Sequence, residues 1–139
     1  MAKAVTAVRY LLGLMLLVLG LNGFLGFIPQ PPPPAAGGAF MGALADGGVM
    51  PIVKAVEVVV GVLLLAGRFV PLALVALVPI TVNIVLYHLR FDPATGVGAY
   101  LVAALHVVLL WGYRAHLVPL LVARAEPLPD RPARRPVAA

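Results

Sequence analysis

The stretch Pro51–Leu89, PIVKAVEVVVGVLLLAGRFVPLALVALVPITVNIVLYHL, decides the fold. Two apolar runs meet at Ala66-Gly67-Arg68, and proline opens both: Pro51 suits the first turn of one helix and Pro71 that of the next. A span needs about 20 mainly apolar residues, so the stretch reads as two membrane-crossing helices joined by a tight turn. Polar groups are set inside the runs. Lys54 and Glu57 lie in the first, and Asn83, Tyr87 and His88 in the second. A charge at mid-span costs about 3 kcal/mol on insertion scales, so Glu57 calls for a compensating partner.

The rest of the chain has the same character. Of 139 residues, 63% are hydrophobic and only 11% charged, whereas about a quarter of a soluble domain is charged. The mean hydropathy is +1.07. This length accommodates four spans with short connections, so one all-α membrane domain is expected. Cysteine is absent, which excludes disulfides, CxxC redox centres and thiolate metal sites. The net charge is +5, but the basic residues gather at the ends. They point to topology and to anionic membrane lipid as a partner, and no nucleic-acid-reading motif accompanies them.

The expected spans are 5–28, 51–67, 71–89 and 97–113, within a membrane domain 1–121. The first run is too long for a signal-peptide core and lacks a small-x-small cleavage site, so it reads as a retained span. Gly13 and Gly20 share one face of it, suited to close helix packing. The run Pro29-Gln30-Pro31-Pro32-Pro33-Pro34 stops that helix and favours a rigid extended spacer. A short interfacial helix is expected over Ala39–Leu44 in the first external loop, ending at Asp46-Gly47-Gly48. Pro79 predicts a modest kink in the third span. Residues 122–139, with Arg124, Arg131, Arg134 and Arg135 among prolines, read as a disordered cytoplasmic tail. Lys3, Arg9, Arg68 and the C-terminal arginines would place both termini on the cytoplasmic side of a bacterial inner membrane.

With that orientation, depth follows from the helical rise. Asn22, Glu57 and Asn83 each lie about six residues from an outer helix end, roughly 9 Å down, and His106 roughly 13 Å down. Four polar side chains from four helices thus fall near one level, with Lys54 and His88 above them. Lys54, Glu57 and Gly61 share a stripe, and Asn83 shares a face with Tyr87. Each residue also has a purely structural role open to it. Lys54 can snorkel outward and pair with Glu57. Asn22 and Asn83 can be hydrogen-bonding glue between helices. His88 can bond at the interface, and His106 can satisfy Glu57.

No Ser/His/Asp arrangement, HExxH or phosphate loop is present. Glu57, His88 and His106 lack the spacing of a metal-ligand pair, so no metal site is expected. The remaining functional reading is a mostly apolar pocket with Glu57, Asn83, His106, Asn22, Tyr87, His88 and Lys54 as its polar groups, suited to a quinone-like or other amphipathic molecule.

Five stretches together resemble the DoxX-like family of small four-helix bacterial membrane proteins. They are RYLLGLMLLVLGLNGFLGFIPQPP, AFMGALADGGVMP, VEVVVGVLLLAGRFVPLAL, PITVNIVLYHLRFDP and LLWGYRAHLVPLL. The pattern matches at Arg9, Gly20, Asn22, Glu57, Gly61, Arg68, Pro71, Pro79, Asn83, His88, Asp92 and Tyr113. It departs at Gly23, where relatives often carry lysine, and at His106, where they often carry glutamate. The resemblance implies a four-helix membrane fold. It also implies association with quinone-linked sulfur oxidation, with quinone or oxidative stress resistance, or with accessory roles in larger membrane complexes, in which the chain would bind another membrane protein without catalysis of its own.

Overall fold

A computed structural model describes residues 2–29 and 31–124. The described chain is all-helical. Its elements are α1 (Ala2–Leu25), α2 (Ala35–Asp46), α3 (Val49–Ala66), α4 (Val70–Phe91), α5 (Val97–Gly112) and α6 (Arg114–Leu117), followed by a 3-10 turn, Val118–Leu121. Helices α1, α3 and α4 are long and apolar enough to cross a membrane. The expected fourth span is shorter: α5 has 16 residues and reaches spanning length only if counted together with Arg114–Leu121, from which it is bent by 74°. Of the expected tail, residues 125–139 lie outside the described residues.

Local chemistry explains the ends. Helix α1 stops at Leu25, three residues before the expected end, because Gly26 turns into the left-handed region at φ +62°. The Asn22 side chain then takes over the backbone: its carboxamide oxygen accepts from Ile28 N–H at 2.6 Å and its amide donates to Ile28 C=O at 3.2 Å. Helix α3 ends at Gly67, φ +67°, which donates to the Leu64 carbonyl at 3.2 Å while Arg68 N–H bonds Leu63. This left-handed C-terminal cap satisfies carbonyls that the helix leaves free. Pro71 then opens α4 within its first two residues.

Helix α2 is longer than the expected 39–44. Pro34 is still extended at φ −53°, ψ 149°, and the helix begins on the next residue. Gly37 and Gly38, outside the expected helix, lie inside it. At Gly37 a packing reason is visible, since a Cβ there would sit 2.7 Å from the Tyr87 hydroxyl. Glycine lets α2 lie directly on α4.

The four long helices close around one core. Helix α1 packs on α3 and α5, and α4 packs on the same two. Leu12, Leu16, Leu64, Leu74, Leu77 and Leu109 fill the centre. The α1–α3 seam is the closest. A Cβ on Gly61 would lie 2.8 Å from the Leu17 nitrogen and 2.9 Å from the Gly13 carbonyl oxygen. The glycine face read from the sequence is therefore used for packing, against α3.

Gly61→Ala is expected to lower stability by about 1–3 kcal/mol, since its methyl meets backbone that cannot yield. Gly98→Ala, where nothing lies within 4 Å, is expected to be neutral or to stabilise by about 0.5–1 kcal/mol. Denaturation in detergent followed by circular dichroism checks both.

Candidate functional site

The polar residues expected at one level separate into three local arrangements. In the first, Lys54 Nζ donates to Glu57 Oε2 at 2.7 Å. The pair sits one turn apart on α3, as its spacing predicts. Glu57 is 2% exposed, while the Lys54 side chain, at 23%, reaches outward. Helix α1 supplies the room. Gly20 faces the Glu57 Cβ, and a Cβ on Gly23 would fall 2.5 Å from the Lys54 methylenes. The lysine stem thus lies over Gly23 and delivers its ammonium to a carboxylate in the seam.

The second arrangement belongs to α4 and α5. His106, 2% exposed, has Nε2 3.0 Å from the Leu74 carbonyl oxygen and Nδ1 2.8 Å from Thr81 Oγ1. A carbonyl only accepts, so Nε2 carries a proton. In the neutral ring Nδ1 then accepts from the Thr81 hydroxyl. His106 does not partner Glu57, which corrects one expectation. Its hydrogen bonds run to α4, whereas Glu57 lies against α1. The depth count put the two near one level, but helix rotation decides whom each one meets. Thr81, buried beside His106, escaped the sequence reading because a threonine in an apolar run carries no distinguishing signal.

The third arrangement is an open groove between α2 and the end of α4 nearest it. Asn83 is exposed and lines this groove with Tyr87, Arg90, Phe40, Phe91 and Pro79. The aromatic rings support one another. Tyr87 lies 6.1 Å from Phe40 and 5.5 Å from Phe91, and Phe40 stacks on Phe91 at 5.8 Å. The groove is thus an aromatic and aliphatic surface with an amide, a phenol and a guanidinium along it. Phe40, Phe91 and Arg90 were absent from the candidate set, because loop and helix-end residues show their shared surface only once α2 docks.

The remaining two candidates make local contacts. His88 bonds the Ile84 carbonyl of its own helix through Nδ1 at 2.9 Å and meets Tyr100 edge-on. Asn22 holds the end of α1, as described above. The seven candidates therefore do not converge on one pocket. Asn83 and Tyr87 share the groove, Lys54 and Glu57 form a pair, and the other three act separately. Among the described residues, no group of three or more His, Cys, Asp or Glu is arranged to hold a metal. Every fully buried side-chain nitrogen and oxygen among them has a hydrogen-bond partner.

One further buried cation was read from sequence as a topology marker and a position of the family resemblance, outside the candidate pocket. Arg9, 8% exposed, donates through Nη1 to the Leu64 carbonyl at the C-terminus of α3. Its guanidinium also covers the Tyr10 ring at 4.5 Å.

Comparison with protein-family models, curated proteins and solved structures returned no match.

Removing only Lys54 leaves a buried carboxylate uncompensated. Lys54→Met is expected to cost about 3–5 kcal/mol, and the double variant Lys54→Met, Glu57→Leu less than that. A double-mutant cycle of unfolding in detergent measures the difference; a double variant no more stable than Lys54→Met would remove the pairing argument.

Proposed function

We propose that the chain is a DoxX-like, four-span integral membrane protein that binds a quinone- or lipid-like amphipathic molecule in the α2–α4 groove and serves a redox- or stress-linked membrane process. The observation that carries this reading is the composition of the groove. The clustered rings of Phe40, Tyr87 and Phe91, tilted to one another, offer aromatic surface to a ligand ring, and the Asn83 amide and Arg90 guanidinium offer donors to its oxygens. Pockets for small ligands have this form, mostly apolar with a few placed polar groups. Glu57 and His106, assigned to the pocket on sequence grounds, are engaged elsewhere, and the proposed ligand site moves outward accordingly.

Membrane placement draws on the outer surface and the charges. Ile52, Leu72, Leu86, Val107 and Trp111 are all exposed, a surface that suits lipid better than water. Arg9, Arg68 and Arg114 fall at the end of the bundle opposite Asp46 and Asp92. On the positive-inside rule both termini are cytoplasmic, in a bacterial inner membrane, with α2 lying along the outer interface. The DoxX-like departures fit together in one respect. Where relatives often carry lysine, Gly23 here makes room for Lys54 from α3.

The test is binding of a short-chain ubiquinone analogue to protein purified in mild detergent, read by mass spectrometry and absorbance. Wild type is expected to retain the quinone. Asn83→Leu is expected to weaken binding about tenfold, the worth of one hydrogen bond left unmade. Equal retention by wild type and Asn83→Leu, or none by wild type, would overturn the groove as the site.

A second reading, an accessory subunit of a larger membrane complex, is favoured by a wholly apolar trough between α3 and α4. Ala55, Ala73 and Ala76 keep it shallow beside Val59, Leu63 and Leu72. Small side chains of this kind allow close helix approach in lipid. This reading expects a stoichiometric membrane-protein partner after gentle purification, lost when the exposed Ala55 and Ala76 are both changed to Leu. Purification as a lone monomer would count against it.

A further inference from the structure

Arg9 has more hydrogen-bonding capacity than its fold uses. The guanidinium carries five N–H groups, and among the described residues only Nη1 has a partner, the Leu64 carbonyl. Every fully buried side-chain nitrogen in this set is partnered, so the unpartnered edge of Arg9 reaches the surface. The guanidinium lies beside Gly67, whose Cβ position would be 3.4 Å from the unpartnered Nη2, and next along the chain is the exposed Arg68. Tyr10 lies under the guanidinium face and is half exposed, with Leu14 exposed one turn further along α1.

No described carboxylate answers these two arginines. Asp46 ends α2 and Asp92 follows α4, both at the opposite end of the bundle, and Glu57 is committed to Lys54. The negative end of the α3 dipole offsets part of the Arg9 charge, and the rest is open to an outside anion.

We propose that Arg9, Arg68 and Tyr10 form a binding site for the phosphate of an anionic phospholipid, with its acyl chains lying along Tyr10 and Leu14. A guanidinium edge held rigid by a helix carbonyl presents paired donors to phosphate oxygens. Arg68 adds a second positive charge, and the Tyr10 ring offers apolar surface to the glycerol and upper acyl chain. With no carboxylate near among the described residues, a choline headgroup finds no counter-charge there, so the site prefers phosphatidylglycerol to phosphatidylcholine. This inference rests on the proposed membrane placement and is independent of the ligand in the α2–α4 groove.

The experiment is native mass spectrometry of the full chain in mild detergent, titrated separately with phosphatidylglycerol and phosphatidylcholine, and with inorganic phosphate as competitor. One phosphatidylglycerol is expected per chain, bound about tenfold more tightly than phosphatidylcholine. Arg68→Gln, which leaves the Arg9–Leu64 bond in place, is expected to weaken phosphatidylglycerol about tenfold, the loss of one charge-assisted contact, with an unchanged unfolding midpoint. Arg9→Lys, which retains a donor for Leu64, is expected to weaken it as well, and Asn83→Leu to leave it unaffected. Equal binding of the two lipids, or wild-type binding by Arg68→Gln and Arg9→Lys, would overturn the proposal. Displacement of phosphatidylglycerol by millimolar phosphate would overturn its lipid source and assign the site to a soluble anion.

Discussion

The backbone contact between α1 and α3 at Gly13 and Gly61 is the constraint that the rest of the molecule accommodates. Gly61 has no room for a methyl group and Gly13 would hold one only tightly, so the two helices run closer than side chains would otherwise permit. That proximity lets Leu12, Leu16 and Leu64 interlock across the seam, and it puts each end of the seam within reach of a charged side chain. At one end Arg9 crosses to the last carbonyls of α3. At the other, the stem of Lys54 crosses the Gly23 surface to meet Glu57. Both charges depend on glycine for space, Gly67 in the first case and Gly23 in the second. Small residues here set where charge can be held as well as how closely helices pack.

The two charged features follow different electrostatic logic. Glu57 and Lys54 neutralise each other, and the pair is tolerable in a low-dielectric seam because the ammonium head is only partly withdrawn from the surface. Arg9 instead rests on a helix C-terminus, sharing the Leu64 carbonyl with Gly67 N–H at the negative end of the α3 dipole. His106 is handled in a third way, with an acceptor on Nε2 and the Thr81 hydroxyl on Nδ1. Between them these devices leave no fully buried side-chain nitrogen or oxygen unpaired among the described residues. Donors to spare belong to the exposed Asn83 and Arg90 on one side and to Arg9 and Arg68 on the other.

Much of this was legible from sequence wherever the relevant contacts lie within one helix. The i, i+3 spacing of Lys54 and Glu57 predicts their ion pair, Pro51 and Pro71 mark the starts of α3 and α4 within a residue or two, and Gly67 marks the stop between them. The shared face of Gly13 and Gly20 predicts close packing. Contacts between helices were less accessible. Counting residues from a helix end gives depth, which is one coordinate; rotation about the axis and the order of helices around the bundle supply the others. His106 and Glu57 lie near one depth by that count, yet they face different neighbours. The extent of α2 was hidden for a related reason: Gly37 falls outside the expected helix, and Tyr87, which needs its space, comes from another one.

The division between a satisfied middle and unsatisfied ends bears on the kind of ligand this protein can recognise. A molecule fully dissolved in the bilayer core would meet a mostly apolar surface with Asn83 as its exposed polar group, since Glu57, His106 and Thr81 have their partners already. A fully water-soluble molecule would gain little from Phe40, Phe91 or Tyr10. Ligands with one polar head and one apolar body can use both kinds of surface at once, and the donors lie where such heads reside if the bundle spans a bilayer. On that argument the proposed quinone ring at one side and the proposed phospholipid headgroup at the other are two instances of one recognition principle. What separates them is the polar complement: an amide and a phenol beside aromatic rings at the α2–α4 groove, and two arginines with no described carboxylate beside them near the α3–α4 turn.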